Sequence, residues 1–409
     1  MTTTLVTLSC TNTARKKRAL FLGVTALTLV ACGGGGGGSG STAMSGSPPP
    51  PDPGYSFKSL VADHAGTSAT TTDPNLKNPW GIVFGGNNPV WTANNGTQTS
   101  TLYDGAGQMN ALVVKLPSLA SGNNRTGGNF NPTGIVFNAS SDEFVVSAAG
   151  NTGAASFIYS GEGGMIAGWS SNVDQNNAIL AYTAADGAVY KGLALASNGT
   201  ADWLYAADFV NSKVDVFDVT FAKQQAAAFP FTDPQLPAGY APFGIQALQN
   251  GSGGSWQIYV AYAQQAGQGS IDNNNGAGLG LIDIFDANGR LVKRLVSTGG
   301  QLNAPWGLVL APKDFGSLSN LLLVSNFGDG RINAFDPASG AFVASLADGT
   351  GAAFQVSGLW GIAFGNDAAN QPHNTLFYAA GPNDENNGDY GRIDANASGM
   401  TPAPQPPGY

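Results

Sequence analysis

The chain has 409 residues, of which 58 are glycine and only 11% are charged, and its net charge is −9. This abundance of small and uncharged residues favours an all-β protein with many turns over a helical one. The acidic balance argues against nucleic acid as a partner, because phosphate contacts need clustered Lys and Arg and no such cluster follows residue 31.

The N-terminal segment has the order of charged and apolar residues that is typical of a secretory signal. Four basic residues occupy positions 15–18, and an apolar run that is short for a membrane span continues to Ala31. The four residues that end in Cys32 resemble the bacterial lipobox, in which the Cys thiol receives diacylglycerol before cleavage. We therefore predict a lipoprotein signal over residues 1–31 and a lipid on Cys32, with an ordinary cleaved signal as the alternative.

Residues 32–54 are rich in Gly, Ser and Pro and predict a flexible linker that holds a folded domain away from the lipid. Removal of the signal would leave 13 basic against 26 acidic residues, with Cys32 as the only cysteine. We expect no disulfide in the mature chain. We expect a location in the bacterial cell envelope, anchored in the outer membrane and facing the periplasm or the cell surface.

The chain from residue 55 to 396 repeats a short motif six times. In each copy a glycine opens an apolar run, and the six glycines are Gly81, Gly134, Gly192, Gly244, Gly307 and Gly361. A second apolar run follows each glycine and usually ends in an aromatic residue and Asp, as in Phe285-Asp286. Each unit holds about four short strands in roughly 50–60 residues, which is the size of a propeller blade. The repeats predict an all-β, six-bladed β-propeller.

The two ends of the repeat region predict how the ring closes. The sixth unit ends at Asp394 without a fourth strand, and residues 55–63 resemble the fourth strand of unit five, at 342–348. We expect the N-terminal segment to supply the missing outer strand of the sixth blade, which removes an open sheet edge. Residues 397–409 are Pro-rich and predict a disordered tail.

Six segments of the repeat region resemble a bacterial family of six-bladed propellers that is similar to the NHL-type propellers. They are residues 78–82, 92–103, 190–195, 302–308, 326–330 and 358–361. The resemblance covers about residues 55–395 and implies a propeller in an extracytoplasmic setting. It implies no activity and no catalytic residue.

The residues that precede the repeat glycines form a candidate ligand site. They are Trp80, Thr133, Lys191, Phe243, Trp306 and Trp360. Superposition of the six copies places them in a ring at one mouth of the channel, where the aromatic residues and Lys191 predict a floor for a flat or anionic ligand. The alternative, which we favour, is that the aromatic residues pack blade against blade while the glycines permit close approach. Lys191 would need a carboxylate, carbonyl groups or water to keep its charge.

A second candidate site comprises Asn94, Asp208 and Asn326, which follow the predicted second strands. Their oxygen atoms suit a hard cation such as Ca²⁺, although no cofactor is predicted and turn capping is the favoured alternative. The loops at 272–276 and 384–389 resemble fragments of calcium loops without the spacing of an EF-hand. The chain has only two histidines, His64 and His373, which excludes a multi-His zinc site.

These features predict a non-catalytic binding or scaffold module that contacts a membrane through its lipid anchor. Its ligand would be an envelope protein, a glycan or a small molecule. The alternative is a metal-dependent hydrolase or lactonase with its ion bound by Asn94, Asp208 and Asn326. A quinone-dependent dehydrogenase is less favoured, because Lys191 alone does not supply the charged groups that surround such a cofactor.

Overall fold

The computed structural model describes residues 52–120, 125–249 and 253–396. The predicted signal, all of the predicted linker before residue 52 and the predicted tail lie outside these residues. The described chain forms strands and two short 3₁₀ helices, Asn95–Thr97 and Gly316–Leu318. None of the helices within these ranges is long and apolar enough to cross a membrane.

The strands are numbered in chain order and form six sheets and one separate hairpin. Strands β1 and β2 cover Tyr55–Ala62 and Thr71–Thr72. Blade 1 contains β3 to β6, which cover Pro79–Val83, Val90–Asn94, Thr99–Tyr103 and Met109–Lys115. Blade 2 contains β7, β10, β11 and β12, which cover Pro132–Phe137, Phe157–Gly161, Met165–Trp169 and Ile179–Thr183. The hairpin consists of β8 and β9, which cover Val145–Ala148 and Asn151–Ala154.

The other four blades follow in the same order along the chain. Blade 3 contains β13 to β15, which cover Tyr190–Ser197, Asp202–Asp208 and Lys213–Phe217. Blade 4 contains β16 to β19, which cover Tyr240–Gln249, Trp256–Gln264, Leu281–Asp286 and Leu291–Val296. Blade 5 contains β20 to β23, which cover Pro305–Leu310, Leu322–Asn326, Ile332–Phe335 and Phe342–Ser345. Blade 6 contains β24 to β26, which cover Leu359–Phe364, Thr375–Ala380 and Asp389–Ala395, together with β1 and β2.

The first strands of the six blades contact one another in a closed cycle, from β3 through β7, β13, β16, β20 and β24 back to β3. The predicted six-bladed β-propeller is therefore confirmed. Within each blade the three innermost strands are antiparallel to their neighbours. The turns between second and third strands therefore lie at the end of the ring where the first strands begin. This end is called the upper face below, and the opposite end is the lower face.

The N-terminal strand closes the ring as predicted. Strand β1 pairs antiparallel with β26, with Tyr55 opposite Ala395 and Phe57 opposite Ile393. The Tyr55 hydroxyl donates a hydrogen bond of 2.8 Å to the Phe315 carbonyl oxygen, which ties this strand to blade 5. The first and last parts of the propeller thus form one sheet, so the outer edge of β26 is covered.

The repeat glycines lie where neighbouring first strands approach most closely. A Cβ atom added at Gly244 would lie 1.9 Å from the carbonyl oxygen of Trp306, and one at Gly361 would lie 2.6 Å from that of Trp80. A side chain at these positions would force the strands apart, because such distances are far below van der Waals contact. The glycines are therefore required by the packing of one blade on the next.

Blade 3 has three strands, one fewer than the approximately four that were predicted for each unit. Its sheet ends at β15, and only one bridge, from Phe217 to Lys223, begins a fourth strand. The segment that follows contains Pro230, Pro234 and Pro237, which have no N–H group to donate to a strand ladder. Blade 6 has one strand more than predicted, because β2 adds a fifth strand beside β1.

Candidate functional site

Aromatic side chains fill the centre of the ring. This central plug comprises Trp80, Phe209, Phe243, Trp306, Phe327 and Trp360. The rings of Trp80 and Trp360 are stacked with centroids 3.5 Å apart, and those of Trp360 and Phe327 are stacked at 4.1 Å. Trp306 meets both Trp80 and Trp360 edge to face. The structure thus brings together the four aromatic residues of the predicted ligand site and packs them against each other.

The plug leaves little aromatic surface for a ligand. The exposed fractions of Trp80, Phe243 and Trp360 are 2%, 0% and 1%, and that of Trp306 is 9%. The indole N–H of Trp306 donates to the Lys191 carbonyl oxygen at 2.8 Å, and that of Trp360 donates to Asn78 Oδ1 at 3.1 Å. The indole nitrogen of Trp80 has no hydrogen-bond partner among the described residues.

Lys191 is buried beside the plug and forms an ion pair with Glu162. Its Nζ lies 2.6 Å from Glu162 Oε1 and 5.0 Å from the centroid of the Trp80 ring. The carboxylate compensates most of the cost of burying the ammonium group, and the ring face adds a cation–π attraction. The expected need of Lys191 for a partner is therefore met by a residue outside the predicted ligand site.

Glu162 lies on the tight turn between β10 and β11, on the upper face. Its Oε2 accepts a hydrogen bond of 3.1 Å from Asn95 Nδ2. Burial alone would raise the pKa of Glu162. The charge of Lys191 and the hydrogen bonds from Lys191 and Asn95 outweigh burial, and they hold this pKa below its usual range. Glu162 is therefore ionised at neutral pH.

A second carboxylate, that of Glu385 in blade 6, lies near enough to Lys191 and Glu162 for their charges to affect its pKa. It lies in the loop between β25 and β26, and its Oε2 accepts a hydrogen bond of 2.7 Å from Asn78 Nδ2. Burial raises the pKa of Glu385, and the nearby charge of Glu162 adds to this rise, while Asn78 and Lys191 oppose it. Asn78 itself joins Glu385 to Trp360 of the plug.

We call the upper-face group Asn95, Glu162, Lys191, Asp272 and Glu385 the rim. Its loops come from blades 1, 2, 4 and 6, and Lys191 comes from the first strand of blade 3. Glu162 pairs with Lys191, and the charges of Lys191, Glu162 and Asp272 all act on the pKa of Glu385. The rim therefore has a net negative charge and lies next to the central plug. Such a surface suits contact with a cationic group.

The three side chains of the predicted metal site are each bonded within their own blade. Asn94 accepts from Thr92 Oγ1 at 2.9 Å and donates to Thr101 Oγ1 at 2.8 Å. Asp208 accepts from Asn211 Nδ2 at 2.8 Å, and Asn326 donates to the Gln301 carbonyl oxygen at 2.8 Å. Asn326 thus supports the loop that leads into blade 5, and Asp208 also accepts from the Val189 N–H in the segment that leads into blade 3.

Asp208 belongs instead to a cluster with Asp186 and Asp215, whose oxygen atoms lie within 4.8 Å of one another. Two lysines form ion pairs with this cluster. Lys213 Nζ lies 2.7 Å from Asp186 and 3.0 Å from Asp215, and Lys223 Nζ lies 2.6 Å from Asp215. The arrangement is an ion-pair network at the incomplete edge of blade 3.

Asp283 is a buried carboxylate on β18 of blade 4. Its Oδ1 accepts from Arg294 Nε at 3.2 Å, while Oδ2 has no partner within the described residues. Burial raises the pKa of Asp283 to about 7. The folded protein therefore retains a proton that the unfolded chain releases above about pH 4, so the free energy of unfolding falls as the pH rises from 4 to 7 and stays low above pH 7.

We expect Asp283→Asn to increase the free energy of unfolding by about 2 kcal/mol at pH 8, since the neutral amide carries no charge to desolvate. The difference should vanish near pH 4, where the carboxyl is neutral in the folded protein. Urea denaturation at pH 4 and pH 8 measures the difference in free energy of unfolding between the variant and the wild type. A variant that is less stable than the wild type at pH 8 contradicts the prediction.

The rim residues Glu162 and Glu385 were not predicted as site residues. Glu385 lies in one of the two loops that resemble calcium-loop fragments, and Glu162 lies in a Gly-rich turn. The signal that pointed to them is Lys191, which was expected to need a carboxylate, carbonyl groups or water, and Glu162 meets this need. The two histidines are exposed and bonded to Asp63 and Asp367.

Comparison with known proteins identifies relatives that are similar in sequence, and solved structures that share the fold at low sequence identity. Uncharacterized protein R648 of Acanthamoeba polyphaga mimivirus is 34% identical over 316 residues, which are 76% of this chain and 72% of the viral protein. Uncharacterized protein L690 of the same virus is 31% identical over 316 residues, 76% of each chain. A chain in the structure of the outer coat vertex of COPII on membranes shares the fold, with 13% identity and a TM-score of 0.50 over 90% of this chain and 81% of that chain. No protein-family model matches.

Proposed function

We propose that this chain, which belongs to the same family as the mimivirus proteins R648 and L690, is a non-catalytic binding module of the bacterial cell envelope. The observation that carries the proposal is the central plug. Aromatic packing closes the middle of the ring, and the buried lysine beside it is already neutralised by Glu162. Binding therefore takes place on the surface of a rigid ring, at the rim.

The charge of the rim selects the class of partner. The rim holds three carboxylates and one lysine, and acidic residues outnumber basic ones in the chain, 26 to 17. A protein segment with Lys or Arg side chains is attracted to such a surface and can form charge-assisted hydrogen bonds with the free carboxylate oxygen of Glu385. The partner we propose is an envelope protein with an exposed basic segment.

A labelled octalysine peptide tests the rim by fluorescence anisotropy with the full chain. We expect Glu385→Gln to weaken peptide binding by about threefold, because it removes one charge and keeps the hydrogen bond from Asn78. The matched control is Asp142→Asn, which removes an exposed charge on the lower face. If both variants weaken binding equally, the peptide responds only to the net charge of the protein, and the rim is not the site.

The alternative of a metal-dependent hydrolase is less favoured. Asn94, Asp208 and Asn326 each have hydrogen-bond partners inside a separate blade, and these bonds would have to break before the three oxygen atoms could meet at one ion. That cost would be about 1 kcal/mol or more for each buried bond. The engaged state of these side chains favours the binding module.

The envelope location rests on Cys32 and the basic and apolar residues before it. In a bacterial host, we expect the wild-type chain to incorporate labelled palmitate and to sediment with membranes. Cys32→Ala should lose the label and move to the soluble fraction, because one thiol carries the whole anchor. Retention of the label by Cys32→Ala would contradict lipidation at this residue, and an unlabelled wild type would leave an ordinary cleaved signal as the correct interpretation.

A further inference from the structure

A cavity of about 420 Å³ opens on the lower face, between blades 3 and 4. Its walls are the turn between β13 and β14, the start of β17, and the turn between β18 and β19. The side chains that matter are Asn198, Trp256, Gln257, Asp286, Asn288 and Val292. The cavity lies at the opposite end of the ring from the rim, so what it binds does not depend on the function proposed above.

The two walls of the cavity are tied together across the boundary between the blades. Asn198 Nδ2 donates to Asn288 Oδ1 at 2.9 Å, and the Tyr205 hydroxyl donates to the Ala287 carbonyl oxygen at 2.7 Å. Asp286 Oδ1 accepts from the backbone N–H groups of Asn288 and Arg290, each at 2.9 Å. These bonds preorganise the cavity, so a ligand would not have to order its walls.

Several polar groups of the lining have no partner among the described residues. They are Asp286 Oδ2, Asn288 Nδ2 and the side-chain amide of Gln257. A carboxylate oxygen and amide N–H groups in the lining of one cavity suit a ligand that both donates and accepts hydrogen bonds, as a hydroxyl group does. None of the lining residues is Lys or Arg, and Asp286 disfavours an anion.

Apolar surface lies beside these polar groups. Trp256 is half-buried at the end of the apolar face between blades 3 and 4, and Val292 is 52% exposed. An indole ring packs well against the C–H face of a pyranose, and a valine side chain packs against a methyl group. The volume is in the range of small-molecule sites and accommodates one or two sugar rings.

We infer that this cavity binds a neutral, N-acetylated sugar. The ring lies on Trp256, its hydroxyl groups exchange hydrogen bonds with Asp286, Gln257 and Asn288, and its acetamido methyl group packs on Val292.

N,N′-diacetylchitobiose is the probe, and isothermal titration calorimetry with the full chain is the measurement. We expect Val292→Glu to weaken binding by at least about tenfold, because it places a charge where the methyl group packs. Val343→Glu is the matched control. Val343 is 50% exposed and holds the equivalent position on the outer strand of blade 5, away from the cavity. Since both valines are exposed, both variants should unfold at the temperature of the wild type.

Binding that Val292→Glu weakens and Val343→Glu leaves intact supports the inference. Absence of heat with the wild-type chain at about 10 mM probe overturns it, because an affinity below that level is too weak for a specific site. Equal binding by the wild type and Val292→Glu also overturns it, since the sugar would then bind elsewhere.

Discussion

Gly244→Ala should lower the free energy of unfolding by about 3 kcal/mol or more, as measured by urea denaturation. The added Cβ would lie 1.9 Å from the carbonyl oxygen of Trp306 on the next blade. Neither backbone can yield locally, because β16 and β20 are both part of the closed cycle of first strands. The strain therefore spreads to the contact between blades 4 and 5.

Gly300→Ala is the control for this substitution. A Cβ at Gly300 would have no neighbour within 4 Å. We expect a change of less than about 1 kcal/mol, because only the freedom of the unfolded chain is altered. An equal loss of stability in the two variants would mean that contact between blades does not explain the repeat glycines.

Glu162→Ala should lower the free energy of unfolding by about 3 kcal/mol at neutral pH, because it leaves the Lys191 ammonium buried without its counter-charge. The figure is at the lower end for a buried pair, since the Glu162 side chain is 17% exposed. Lys191→Met should also lower the free energy of unfolding, by about 2 kcal/mol, because it leaves the ionised Glu162 carboxylate without its counter-charge. The double variant should then recover most of the stability lost in Glu162→Ala.

The pH dependence of the Lys191–Glu162 pair has a definite sign. The pKa of Glu162 is lower in the folded protein than in the unfolded chain. The stability contributed by its ionised form is therefore present above the ordinary carboxyl pKa, and it is lost as the pH falls through the lowered value. The difference between the wild type and Glu162→Ala should be constant from pH 6 to 8 and shrink below about pH 4. A difference that grows on acidification would contradict the assignment.

The carboxylates of the rim could not be predicted from sequence because their partners are remote. Glu162 pairs with a lysine on another blade, and Glu385 pairs with Asn78 at the other end of the chain. Local pattern carries no information about which turns of a ring face one another. The need of Lys191 for a polar partner was predictable from its surroundings, whereas the choice of Glu162 as that partner was not.

The sequence alone determined the number of blades, the position of their first strands and the closure of the ring by residues 55–63. Each of these depends on a repeated local pattern, in which Gly81 and its five equivalents mark the same backbone contact. Only the tertiary structure decided that the aromatic residues before these glycines form a closed plug, since their packing depends on six blades meeting at one axis. It also decided that blade 3 has three strands and that a cavity lies between blades 3 and 4, because both depend on which segments pair or pack, and a local pattern does not encode this.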